Sequence, residues 1–599
     1  MKADTVDGDA SARPDAEAMI VRRPAFDRRA LLMLALVVPV LAIFTGGYLV
    51  PLAQLAFKSV RSAEGWTLGH YVDIATAGVF PWVLLRTVTL SLTVTLICLV
   101  LGYPLAYAIS RCPPRTASFL LLLVTLPYLT SILIRTYAWT VILSPAGLVN
   151  QVLQSLGITS EPLRLVFNMT GVYIGMVQVQ LPLMIFPLYA ALARFDRKLS
   201  AAAQSLGSSP ADAFFRITLP SSMPGIVSGC TLVFLSCLGF YITPALLGGP
   251  DDYMIAQGIT IRVLTLGEFE AAAAQAMVLL AMVVAIFIVF RRRVSTDLDD
   301  EEQIKQRQTT SRVLSVPAWS LPGLDFALEM LSIVRKPLLI VASAITLGLL
   351  VLPFAVVVPL AFSDAAYLSF PPPAYSLRWF SKFFGNAQWL DALGFSARTA
   401  SLAALVAVLV GVPAAFALVR HRFPGRLPIY LILISPLIIP HVIMAVAFFF
   451  AVAGTPLVGS AAAFVLSYAI IATPYVIVIF VAGLKRFDRS LEQAAVSLGG
   501  HPLTALRTVT LPLLLPSLGS ALVFAFITGF DDVVYGLFVS GPSATPLPIR
   551  MWDDIRLEIS PQIAVVAVLF LAALVTLFII RTCVSMILDQ RGHRSGANT

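Results

Sequence analysis

Apolar residues along this chain gather in twelve long blocks, and charge is confined to the short stretches between them. The blocks cover residues 31–57, 83–110, 118–143, 170–193, 219–247 and 271–290, then 337–362, 394–419, 427–453, 461–484, 513–540 and 562–588. Each reaches the ~20 residues that a helix needs to cross ~30 Å of hydrocarbon. The pattern predicts an all-α membrane protein of twelve transmembrane helices. Pro127, Pro182, Pro187, Pro436, Pro440 and Pro474 fall inside blocks. In water they would break their helices, but neighbouring helices of a bundle can re-satisfy the freed carbonyls.

The polar interruptions carry a second pattern. Residues 195–224 read FDRKLSAAAQSLGSSPADAFFRITLPSSMP, and residues 487–516, 292 positions on, read FDRSLEQAAVSLGGHPLTALRTVTLPLLLP. Without a gap, 15 of these 30 positions are identical. GYPLAYAISR (102–111) likewise answers GVPAAFALVR (411–420), and each closes the second block of its half. Two related six-helix units of the same topology predict a pseudo-two-fold axis along the membrane normal. The chain then divides into a tail (1–30), a first unit (31–290), a linker (291–336), a second unit (337–588) and a tail (589–599). The linker stretch RRRVSTDLDDEEQIKQRQTTSR is too polar to fold alone. Beyond it, Leu324, Leu328, Leu331 and Val334 share one helical face, which suits a short helix at the membrane interface.

Composition agrees with the blocks. The chain is 58% hydrophobic and 12% charged, with a mean hydropathy of +0.89, more apolar surface than a water-soluble domain can hide. The net charge of +9 does not point to nucleic acid, because the basic residues sit in short loops. Their placement orients the bundle. Arg22, Arg23, Arg28 and Arg29 precede the first block, and no small-residue cleavage site follows, so that block reads as an uncleaved anchor. The even-numbered loops carry Arg111, Arg115, Arg194, Arg197, Lys198, Arg216 and Arg291–Arg293, then Arg420, Arg422, Arg426, Lys485, Arg486, Arg489 and Arg507. Both termini and both copies of the repeated loop are therefore expected in the cytoplasm. The long loops 58–82, 146–169, 363–393 and 541–561 are expected outside. Cys98, Cys112, Cys230, Cys237 and Cys583 lack metal-ligand spacing and read as packing residues.

The repeated loop resembles the EAA loop of permease subunits of binding-protein-dependent ABC importers, roughly E-A-A-x-x-L-G followed by Leu-Pro. The resemblance falls on Ala201, Ala202, Ala203, Leu206, Gly207, Leu219 and Pro220, and again on Gln493, Ala494, Ala495, Leu498, Gly499, Leu511 and Pro512. Ala201 and Gln493 replace the glutamate, with Glu492 one residue early. Finer likeness exists too. LPYLTSILIRTYAW (126–139), GLVNQVLQSLGI (147–158) and YITPALLGGPDDYMIAQGI (241–259) are similar to one integral subunit of spermidine/putrescine importers. FDDVVYGLFVSGPSATPLPIRMW (530–552) and ISPQIAVVAVL (559–569) are similar to the other.

The resemblance implies two permease subunits fused end to end, a bacterial inner-membrane location, an ABC ATPase dimer docked at the loops and a periplasmic solute-binding protein. It implies polyamine substrates. Related permeases serve ferric iron, thiamine, 2-aminoethylphosphonate or opines. A secondary transporter, which also uses six-plus-six repeats, is the rival of another class; self-similarity concentrated in a cytoplasmic loop argues against it.

The residues of the loop have a physical logic of their own. The Ala202–Ala203 and Ala494–Ala495 pairs favour helix and let a partner approach closely. Gly207 and Gly499 permit the φ > 0 turn that ends such a helix. Pro220 and Pro512 suit the start of the next span, where a missing N–H costs little.

Few side chains offer transport chemistry. Asp531 and Asp532 lie about 19 residues into the eleventh block, and a buried carboxylate costs roughly 2.5–3.5 kcal/mol at mid-bilayer unless it is paired or wet. They read either as a cation-attracting cavity wall or as an outer helix end bonded to Arg550. Arg135 reads as a path residue or an anchor, and Tyr241, aligned with Asp531 at an offset of 290, as packing before ligand. Gln178 and Gln180 read as interhelical glue before the lining of a polar path. No catalytic constellation, metal cluster or G-x-x-x-x-G-K-[ST] loop occurs, so ATP and Mg would be bound by the partner ATPase, with no cofactor in this chain.

Overall fold

The computed structural model describes residues 28–291 and 324–576, apart from 63, 77, 368, 422, 424, 543, 558, 559 and 574. Arg22, Arg23, the charged stretch 292–323 and Cys583 lie outside the described residues. The first half contains α1 (Met33–Ser59), α2 (Val79–Arg111), α3 (Pro114–Leu129), α4 (Ile132–Ile142), α5 (Met169–Arg194), α6 (Arg197–Ser205), α7 (Pro210–Leu238), α8 (Ile242–Leu247), α9 (Ile255–Leu266) and α10 (Phe269–Arg291). The second half repeats them as α11 (Leu324–Ala361), α12 (Ala387–Arg420), α13 (Arg426–Leu437), α14 (His441–Val452), α15 (Ala461–Arg486), α16 (Arg489–Ser497), α17 (Pro502–Phe530), α18 (Val534–Val539), α19 (Leu547–Leu557) and α20 (Gln562–Ala573).

Among the described residues nine helices are long and apolar enough to cross a membrane, or up to eleven spans if two bent pairs are each counted as one. The expected twelfth block is described as an apolar helix only over Gln562–Ala573. The third and ninth blocks are not single helices. They break at residues 130–131 and 438–440, bending by 94° between α3 and α4 and by 99° between α13 and α14. Pro127 and Pro436 with Pro440 withdraw backbone N–H groups there, and non-helical backbone survives at membrane depth only inside protein or against a cavity. The fifth and eleventh blocks also break, after Leu238 and Phe530.

Three further expectations need correction. The helices after the repeated loops begin at Pro210 and Pro502 rather than near Pro220 and Pro512. Ser209 Oγ accepts from Asp212 N at 3.1 Å, and His501 Nδ1 accepts from Leu503 N at 3.3 Å, capping both starts. Pro220 and Pro512 then follow π-turns at Phe214–Thr218 and Leu506–Thr510, which make room for a ring that carries no N–H. The expected short helix bearing Leu324 and Val334 is continuous with the seventh span in α11. The loops between blocks hold helices that the block pattern passed over, among them Leu148–Ser155 and Arg378–Phe384, as well as α9 and α19.

The two halves exchange their outer spans. Val37, Phe44 and Tyr48 of α1 share a buried cluster with Phe464, Tyr468 and Phe480 of α15. Leu350, Val356 and Leu360 of α11 join Leu90, Val94 and Met176 in the other. Tyr48 OH and Ser435 Oγ bond at 2.7 Å, and Thr346 Oγ1 donates to Leu101 O at 2.9 Å. Within each half, small residues let helices close. A Cβ at Gly102 would meet Ile185 Cγ1 at 3.3 Å, and one at Gly411 would meet Val476 Cγ1 at 3.0 Å. Those glycines open the two matching ten-residue stretches, so the repeat reflects close packing of α2 on α5 and of α12 on α15.

Candidate functional site

The repeated loops fold alike. Asp196 Oδ1 accepts from Lys198 N and Asp488 Oδ1 from Ser490 N, both at 2.9 Å, which caps α6 and α16. The Ser490 bonds also hold the Asp488 carboxyl below the usual carboxylate range. Gly207 (φ 96°) and Gly499 (φ 88°) end the helices in the left-handed region. Ser208 N then donates to Ala203 O at 3.0 Å, and Gly500 N to Ala495 O at 3.1 Å. This bond from just beyond the glycine back to the last turn is the Schellman closure. It leaves Leu206 89% and Leu498 90% exposed, beside exposed Ala202 and Ala494.

Both loops are tied to the second span of their half. Arg197 donates to Ser110 O, and Arg489 donates to Val419 O at 3.4 Å. The second loop has an extra tie: Arg420 Nη2 meets Glu492 Oε2 at 2.7 Å. An acid one residue early in the motif therefore still finds a cationic partner.

The second region is a cavity of about 430 Å³ between the halves. It lies where the breaks meet, with Ile132 and Gly239 on one side and Pro440, Asp531 and Asp532 on the other. Arg135, Tyr241, Asp531 and Asp532, which the sequence singles out separately, all line it. Asp531 follows the end of α17, and its Oδ2 accepts from Ile132 N across the interface at 3.1 Å. The expected partner Arg550 stands instead over the Trp389 ring, 5.9 Å from its centroid. Asp532 Oδ1 accepts from Tyr535 N at 2.8 Å, and its Oδ2 lies 3.8 Å from His441 Nδ1. Tyr241 packs on Trp552 with ring centroids 5.6 Å apart.

Element bounds correct the alignment of Tyr241. Because α8 and α18 begin at Ile242 and Val534, Asp531 corresponds to Gly239 and Asp532 to Phe240. A Cβ at Gly239 would lie 2.1 Å from Pro440 Cβ, so the first half has backbone contact where the second has a carboxylate. Gln180 lines the cavity and also links two helices, its Nε2 donating to Ser236 Oγ at 2.8 Å. Gln178 is buried outside the cavity wall. His441, Tyr128 and Tyr475 also line the cavity, and sequence reasoning passed them over. The proline beside His441 is the signal that could have marked the break.

Residues 99–296 and 407–591 each match the family described as binding-protein-dependent transport system inner membrane component. The chain belongs to this family. It is an ABC importer permease that carries two family units in tandem. The spermidine/putrescine transport system permease protein PotB of Escherichia coli K12 is 35% identical over 227 residues, 38% of this chain and 82% of PotB. The putrescine transport system permease protein PotI of the same organism is 32% identical over 250 residues, 41% of this chain and 89% of PotI. Among solved structures, a chain from a bacterial alginate ABC transporter in complex with an alginate pentasaccharide-bound periplasmic protein covers 44% of this chain and 93% of its own. Its identity is 21% and its TM-score 0.39.

Proposed function

We propose that this chain is the membrane core of an ATP-driven importer of polyamines such as putrescine and spermidine. The observation that carries the reading is the cavity between the halves, whose wall holds two carboxylates against one guanidinium. A polyammonium ion leaving water needs carboxylates or aromatic faces in place of its hydration, and Tyr128, Tyr475 and Phe240 supply such faces. The names of the PotB and PotI relatives support the same substrate class.

A periplasmic binding protein delivers the substrate in this reading, and an ATPase dimer docks on α6 and α16 from the cytoplasm. Leu206 and Leu498, each set at a helix end with its side chain bare, suit two grooves of a two-fold partner. Closure of that dimer would move the two loops together and rock the halves apart on the outer side. The exchanged spans α1 and α11 keep the halves joined while they move.

Uptake of labelled putrescine and spermidine into vesicles carrying this chain, its cognate ATPase and its binding protein tests the proposal. Saturable, ATP-dependent polyamine uptake is expected. Transport of a phosphonate or a ferric chelate instead would overturn the substrate assignment.

A further inference from the structure

We infer that the two neighbouring acids of the cavity wall have separate tasks. Asp532 contacts the substrate cation, and Asp531 is a positioning residue that latches the halves together beside it. The inference rests on the cationic substrate proposed above.

The partners of the two carboxylates differ in which half they belong to. Asp531 Oδ2 accepts from Ile132 N at 3.1 Å, the first amide of α4 in the opposite half. Arg135, one turn along α4, is 4% exposed, lines the same cavity and is the charged neighbour of Asp531. The charge of Asp531 is thus met by a helix N-terminus and a guanidinium, both contributed by the first half. When the halves part, this contact has to break.

Asp532 keeps its partners within its own half. Its Oδ1 takes the Tyr535 amide, and the ionisable base nearest its Oδ2 among the described residues is the imidazole of His441, with Nδ1 3.8 Å away. No lysine or arginine pairs with it among the described residues, although its side chain is 4% exposed. A buried carboxylate without such a partner is costly unless a cation or water reaches it. The cavity provides that access, and the site travels intact with the second half. The first half, with Gly239 and Phe240 at the matching positions, supplies neither acid, so the cation site is one-sided.

The test uses the full permease with its ATPase and binding protein in nanodiscs. Asp532→Asn is expected to raise the KM for putrescine uptake by about tenfold, the effect of losing one charge-assisted contact. Asp531→Ala is expected to raise substrate-free ATP hydrolysis severalfold, because the latch is gone. Asp531→Asn keeps an acceptor for the Ile132 amide and should restore most of the coupling. An equal rise in KM for both asparagine variants, or none for Asp532→Asn, overturns the division of tasks. Unchanged substrate-free hydrolysis in Asp531→Ala overturns the latch even if the wild type proves to carry another substrate. Absence of polyamine uptake by the wild type is the separate result that defeats the substrate reading.

Discussion

Arg420 Nη2 lies 2.7 Å from Glu492 Oε2, so an ion pair fastens α16 to the C-terminal end of α12. Ser200 occupies the place of Glu492 in the first half, so Arg111, which lies over the Tyr107 ring much as Arg420 lies over Phe416, has no acid at the matching loop position. The two loops share a backbone and an arginine tie to the second span of their half, but among the described residues the ion pair belongs to the second alone. The second should transmit force more stiffly.

Glu492→Gln is therefore expected to lower substrate-stimulated ATP hydrolysis, while Ser200→Ala leaves it near wild type. A double-mutant cycle with Arg420→Met should return a coupling of about 1 kcal/mol, the upper end for a partly exposed pair. A coupling near zero would mean that the pair does not stiffen the loop.

Cysteines placed at Ser209 and His501 should react with an impermeant thiol reagent only from the cytoplasm. Both positions cap the helices that leave the repeated loops. Labelling of either from the periplasmic side of sealed cells would contradict the orientation read from the basic loops.

Ala203→Glu and Gly499→Pro are expected to abolish transport while membrane insertion persists, because both fall in the polar loops between the long apolar helices. Proline cannot adopt the φ of 88° found at Gly499. Substrate-stimulated ATP hydrolysis in reconstituted complexes is the readout, and wild-type rates in both variants would count against docking at these helices.

Gly411→Leu forces a side chain against Val476, where a Cβ alone would approach to 3.0 Å. A loss of about 1–3 kcal/mol is expected for such overpacking, measured as reduced thermal stability in detergent. Gly239→Val acts elsewhere. Its Cβ would collide with Pro440, which should hold the halves apart and raise substrate-free ATP hydrolysis.

Much of this organisation was legible because the chain states it twice. The glycines at 207 and 499 are local features that end their helices without help from distant residues, whereas the capping by Asp196 and Asp488 and the helix starts at Pro210 and Pro502 emerged only from the structure. The ion pair of Glu492 was harder to see, since Arg420 is far away in sequence and no motif joins them. Asp531 was visible as a charge in an apolar block. Its partner was not, because Ile132 offers only a backbone amide, which leaves no trace in composition.

The breaks were hidden for a related reason. The stretches 118–143 and 427–453 are apolar throughout, and hydropathy reports the cost of leaving water but not the direction of the helix axis. Proline inside a span is ambiguous. Pro474 stays within α15, whereas Pro440 sits at a bend of 99°. What decides between them is whether neighbouring groups can satisfy the freed carbonyls.

By itself the sequence determined the apolar blocks, the polar loops between them, the two-fold repeat and the glycine-ended loop helices, because each depends on residues close together in the chain. The tertiary structure alone decided the exchange of α1 and α11, the correspondence of Gly239 with Asp531 and the cavity to which opposite halves bring Arg135 and the two acids. Those depend on which helices pack together, and in a membrane that choice rests on close steric fit rather than on hydrophobicity, since every candidate face is equally apolar.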